Sequence, residues 1–182
     1  MQPPQSWTRV IEPLLTAPQL NERISEMGRE ITETFRDSPE LVAVGILKGC
    51  FLFYADLVRH IDLPIKCEFI GISSYADATT SSGVVKISSD LKYSIEDKDV
   101  LIIEDIIDTG LTMSYLLNNF STRKPKSLNV CTLLDKPERR VVPVPIEYTG
   151  FTIPDRFVVG YGLDLAGRYR NLPHIGVYHG ET

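Results

Sequence analysis

Leu20, Ile24, Met27, Ile31 and Phe35 recur at spacings of three and four, with Glu and Arg between them, which marks one apolar face of an amphipathic helix. That helix ends before Pro39, because a proline drives the residue ahead of it out of helical geometry. Residues 41–47, Leu-Val-Ala-Val-Gly-Ile-Leu, have no polar side chain and read as a strand buried on both faces. A helix is expected at 50–61, with Lys48 and Gly49 on the loop between. β-rich runs follow at 67–72 and 84–88, and 100–103 reads as another buried parallel strand. Helical spacing returns at 113–120, and further strands are expected at 128–134, 147–153 and 157–161. The proline-bearing start is read as irregular. Strands alternating with helices predict an α/β fold: a mostly parallel twisted sheet flanked by helices.

Residues 73–83, Ser-Ser-Tyr-Ala-Asp-Ala-Thr-Thr-Ser-Ser-Gly, supply almost no core-forming side chain, so a mobile loop is expected there. Open parallel sheets bind ligands beyond the carboxyl ends of their strands, and each unusual polar cluster of this sequence follows an apolar run. The chemistry is expected along that edge.

Composition narrows the class. With 182 residues, 43% hydrophobic and 24% charged, the chain suits one globular domain spanning residues 1–182. Nineteen basic against 24 acidic residues leave a net charge of −5, which lacks the broad positive field that nucleic acid attracts. A single phosphate group remains compatible, because a few backbone N–H groups and cations hold one whatever the global charge. Cys50, Cys67 and Cys131 are odd in number, widely spaced and without a CxxC, so free thiols in a reducing compartment are expected. No apolar run approaches the ~20 residues that span a bilayer, and the first residues do not resemble a secretory leader, so the expectation is a soluble cytoplasmic protein with no membrane partner.

The most informative passage is Glu104-Asp105-Ile106-Ile107-Asp108-Thr109-Gly110-Leu111-Thr112 at a strand-to-helix junction. Thr109, Gly110, Leu111 and Thr112 supply hydroxyls, a flexible glycine and successive amides at a helix N-terminus, which is what a phosphate monoester requires. Glu104 and Asp105 would repel a phosphate and are better suited to accept hydrogen bonds from a vicinal diol beside a cation. A ribose 5-phosphate satisfies both halves. The same letters also suit a plain helix cap at Asp108 and Thr109 with two solvated acids.

Residues 100–112 together resemble the phosphoribosyl pyrophosphate motif of type I phosphoribosyltransferases, in the variant carried by the hypoxanthine-guanine enzymes. The resemblance extends through Leu47-Lys48-Gly49, Ser74-Tyr75, Leu134 to Arg140, Phe157 to Asp164 and Arg170-Asn171-Leu172-Pro173, covering about 41–177. It implies the type I fold with a small hood subdomain formed by the N- and C-terminal segments, and a lid at about 73–83. It implies purine salvage: transfer of 5-phosphoribosyl from phosphoribosyl pyrophosphate to N9 of hypoxanthine or guanine, giving IMP or GMP and pyrophosphate, with Mg2+ required. A homo-oligomer, dimer or tetramer, is implied on the same ground.

By the same resemblance Glu104 and Asp105 hold the ribose hydroxyls and a metal ion, residues Asp108 to Thr112 enclose the 5-phosphate, and Asp108 is also the general acid/base at purine N7. Lys136 reads the purine O6, because an ammonium has donors and no acceptor and so rejects the amino group of adenine. Phe157 covers the base, the Val158 backbone lies beside its edge, and Asp164 completes the purine site and binds metal directly or through water. Lys48, Gly49 and Arg170 receive the pyrophosphate, whereas Arg168 is off the matched position. Ser74 and Tyr75 belong to the lid, which excludes water from an oxocarbenium-like centre. Cys50 departs from the small residue that often follows this turn. Two rivals stay open: a regulator of the same fold that senses the donor and binds RNA, and a transferase for another base. His60, His174 and His179 form no HExxH, and no GxSxG, Walker or GxGxxG spacing occurs.

Overall fold

The computed structural model describes residues 11–74 and 85–180. Strands β2 (Leu41–Leu47), β3 (Ile65–Ser74), β4 (Val85–Ser89), β5 (Asp99–Ile107), β6 (Ser127–Asp135) and β7 (Tyr148–Thr152) form one sheet in the order β4-β3-β2-β5-β6-β7. All its pairings are parallel except β3 with β4. Apolar side chains of β2 and β5 point alternately to the two faces, as the period of two demands. Leu41, Ala43, Leu101 and Ile103 pack with helices α1 (Ala17–Thr34) and α2 (Phe51–Val58), whereas Val42, Val44, Val100 and Ile102 pack with α3 (Leu111–Ser121). The predicted mostly parallel α/β sheet is thus the observed one.

Helix α1 buries the anticipated stripe of Leu20, Ile24, Met27 and Ile31, and begins at a capping box in which Thr16 and Gln19 satisfy each other's backbone N–H groups. α2 is shorter than expected: it stops at Val58, and Arg59 and His60 form a turn. β3 runs through Ser74, so the expected loop gives up its first two residues to a hairpin strand paired with β4. Tyr75 and the rest of the expected lid, through Gly83, lie outside the described residues.

Two strands were not anticipated. β1 (Ile11–Leu15) and β9 (Ile175–Tyr178) pair antiparallel and, with β8 (Val158–Val159), make a second sheet in the order β1-β9-β8. Pro13 is tolerated because β1 is an edge strand, and the register shifts between Pro13 and Leu15. Gly176 sits where a side chain would run into Ile11 and the Glu12 carbonyl, so the strands approach closely.

Candidate active site

β5 carries the central chemistry further than its apolar letters suggest. The strand was expected to end at Ile103, leaving Glu104 and Asp105 on a loop; instead it continues to Ile107, paired with β6 as far as Ile107 opposite Asp135. Glu104 and Asp105 are therefore strand residues, each only 9% exposed. Burial, and then the neighbouring Asp105 charge, push the Glu104 carboxyl well above the ordinary range. Such a pair is poised to gain a cation or hydroxyl donors. Glu104 lines a cavity of about 190 Å³ together with Asp108, Gly110, Thr112, Ile72 and Ile106. That volume lies below the roughly 300–1,000 Å³ of a drug-sized pocket and suits a sugar phosphate better than a complete dinucleotide.

At the top of β5 the chain bends into α3. Gly110 has φ +81°, and a Cβ there would overlap the Val142 carbonyl, so only glycine fits this turn. The Gly110 carbonyl accepts the first helical bond from Ser114 at 2.9 Å. Asp108 is exposed at the cavity mouth, and its Oδ1 accepts the Thr109 N–H at 2.5 Å. The Thr109 hydroxyl accepts the Leu111 N–H at 3.4 Å. The side chains of Asp108 and Thr109 thus bind backbone N–H groups just ahead of α3, while its N-cap, Gly110, has no side chain to do so.

The turn after β2 lies against this strand. Leu47–Lys48 is a cis peptide bond, and Lys48 is exposed. Gly49 is wedged: a methyl on it would overlap the Asp105 carboxylate, and one on Gly162 would overlap the Gly49 carbonyl. Cys50 is fully buried, its thiol pushed up by burial and next by the Glu104 and Asp105 charges, and its carbonyl starts α2 by accepting Tyr54 N–H at 2.7 Å. Beyond Gly162, Arg170 Nη1 donates to the Gly162 carbonyl at 2.6 Å and Nη2 to Asp164 Oδ1 at 2.6 Å. Asp164 Oδ2 accepts the Gly167 N–H at 2.7 Å. Arg168 is exposed on the following turn.

Lys136, just after β6, is a buried ammonium, 7% exposed, and donates to the Arg156 carbonyl at 2.5 Å. Burial pulls it below the usual lysine value, against the raising effect of Asp155. Phe157, the next residue after that carbonyl, leaves half its ring surface exposed and meets Tyr178 edge-on at 6.2 Å, while Val158 is buried in β8. Phe157 itself precedes the strand expected to include it.

The phosphoribosyl transferase domain model matches residues 11–165. The chain belongs to the phosphoribosyltransferase family. A hypoxanthine-guanine phosphoribosyltransferase of Mycobacterium avium is 53% identical over 168 residues, 90% of this chain and 83% of that protein. A solved hypoxanthine phosphoribosyltransferase of Staphylococcus aureus superposes with a TM-score of 0.88 at 47% identity, covering 92% of this chain and 90% of the other. That of Trypanosoma cruzi, studied for the role of its C-terminal region on oligomeric state and enzymatic activity, gives 0.89 at 40% identity, covering 96% and 94%.

Within this phosphoribosyltransferase, Glu104, Asp108, Gly110 and Thr112 converge on one cavity, and Gly49 abuts Asp105. Lys136 and Phe157 lie together, and Asp164 pairs with Arg170. Asp164 does not join Glu104 and Asp105: no cluster of three metal-ligating residues forms among the described residues. The Ser74 backbone closes β3, whereas Tyr75 lies outside the described residues. Arg140 and Asp135 fall in the Leu134 to Arg140 stretch of the resemblance, but the sequence assigns neither a role. Arg140 looks like part of a solvated Arg-Arg pair, and nothing in the letters reveals that it reaches back to β5.

Proposed function

We propose that the chain transfers the 5-phosphoribosyl group of phosphoribosyl pyrophosphate to N9 of hypoxanthine or guanine, yielding IMP or GMP and pyrophosphate. The observation that carries this reading is the cavity in which buried Glu104 and exposed Asp108 precede a left-handed glycine and the start of α3, with Asp105 buried next in chain against Gly49. Those acids suit the ribose hydroxyls, and those amides suit the 5-phosphate. Asp108, at the mouth, exchanges a proton with purine N7 through the oxygen not engaged by Thr109. The Lys136 ammonium keeps donors beyond the one given to Arg156, and it turns one toward O6 while the Phe157 ring covers the base. Val158 presents backbone to the base edge. The small β1-β9-β8 sheet serves as the hood over this acceptor side, and the segment that includes Ser74 and Tyr75 serves as the lid.

Mg2+ is the cation this donor set fits, since Glu104 and Asp105 offer only oxygen and their crowded charges favour a hard divalent ion. It supplies neutralisation of the departing pyrophosphate. Asp164 has both oxygens engaged, by Arg170 and by Gly167, and so fits a metal through water better than directly. Arg170, the Lys48 backbone and the Gly49 N–H receive the leaving group. A homo-oligomer in the cytoplasm is the expected setting, and no helix among the described residues is long and apolar enough to cross a membrane.

Incubation of the purified protein with Mg2+, the donor and each base in turn tests this directly. IMP and GMP should form, and AMP should not. Lys136→Ala should narrow the preference for hypoxanthine over adenine by roughly 10–100-fold in kcat/KM. Product from adenine or uracil but not hypoxanthine would overturn the assignment.

A further inference from the structure

Three consecutive backbone carbonyls at the top of β5 are contacted by one short segment, residues 140–142, the first of them, that of Ile107, also accepting the Lys136 N–H at 3.0 Å. Arg140 Nε donates to the Asp108 carbonyl at 2.9 Å and Nη2 to the Ile107 carbonyl at 3.3 Å. The same Nη2 binds the Asp135 carboxylate, and both side chains of that pair are 17% exposed. The N–H groups of Val141 and Val142 then converge on the Thr109 carbonyl at 2.9 and 3.0 Å. Gly110 packs against this segment so closely that a methyl would strike Val142.

A trans peptide unit is planar, with its carbonyl and its N–H on opposite edges. Holding the carbonyls of Ile107, Asp108 and Thr109 toward 136–142 therefore aims the N–H groups of Asp108, Thr109 and Gly110 the other way, where that of Thr109 meets the Asp108 carboxylate. A planar guanidinium reaches two of these carbonyls and one carboxylate at once. A lysine has no such fork and would hold them as a point charge. Asp135, at the end of β6, anchors the guanidinium, so the strand ends bearing Asp108 and Lys136 are fixed together.

We propose that Arg140, anchored by Asp135, is a positioning residue: it presets the amides of the phosphate cradle and the bearing of Asp108 without touching substrate. The inference rests on the cradle reading above. Calorimetric titration with IMP and with inosine, which lacks the phosphate, separates the two. Arg140→Lys should weaken IMP binding roughly tenfold, about what one good hydrogen bond to a charged group contributes, and leave inosine within twofold. The KM for the phosphoribosyl donor should rise in parallel while that for hypoxanthine holds. Asp135→Asn should move both readings in the same direction by less, and it decides the matter if the Arg140 variant is insoluble. Unchanged IMP affinity, or equal losses for IMP and inosine, would overturn the clamp. If the unsubstituted protein itself binds IMP no better than inosine, the cradle reading fails and the clamp with it.

Discussion

Asp108 combines two demands that a single carboxylate meets only at such a bend. One oxygen is occupied by its own neighbour's N–H, which fixes the side chain, and the residue lines the cavity. Asp108→Asn preserves that first contact and removes the proposed proton acceptor. Turnover should fall by roughly 10²–10⁴, the range for loss of a general acid or base, with donor KM little changed; steady-state kinetics with hypoxanthine check this, and unaltered kcat removes Asp108 from proton transfer. The acids at 104 and 105 were legible as residue types, but their burial was not. The apolar run stops at Ile103, and only the register with β6 shows that the strand goes on. Arg140 and Asp135 were illegible for a related reason. Two of Arg140's partners are main-chain carbonyls more than thirty positions away, and a carbonyl leaves no mark in a sequence.

Element by element, β2 was read to the residue because seven apolar letters between polar ones leave little choice. β1 and β9 were missed because neither has a period of its own: Pro13 interrupts the first, the second is four residues with a glycine, and β1 is a strand only through its pairing with β9. At the opposite end of β5, Asp99 gathers three donors. Ser38, Lys126 and Ser127 reach its carboxylate at 2.6, 2.9 and 2.7 Å, and β5 and β6 start side by side there. Burial alone would raise this acid, but those hydrogen bonds outweigh it and hold Asp99 below the usual carboxylate value. The lowered group is stabilising above its unfolded pKa of about 3.9, and that contribution is lost as pH falls through the lower folded value. Urea unfolding of Asp99→Asn should accordingly show a deficit at neutral pH that shrinks on acidification below pH ~4, and a deficit independent of pH would contradict it.

Across the whole molecule, a contact between residues far apart in the chain links the turn after β8 to helix α2. Tyr161, at φ +49° and 8% exposed, donates its hydroxyl to Asp56 of α2 at 2.5 Å. Tyr161→Phe deletes one hydrogen bond and leaves Asp56 partly solvated beside Arg59, so no buried charge is stranded. A loss of about 1 kcal/mol is expected, read as a fall of roughly 2–4 °C in Tm by calorimetry. An unchanged Tm would show that this hydrogen bond adds nothing to stability. A few residues away, Gly49 lies between the Asp105 carboxylate and Gly162 with no room for a methyl on either side. Three stretches of chain far apart in order thus meet along a seam with zero slack. Anyone redesigning this protein for a bulkier base would have to leave that seam intact and begin from Phe157, the one wall of the proposed acceptor site whose ring already stands half in water.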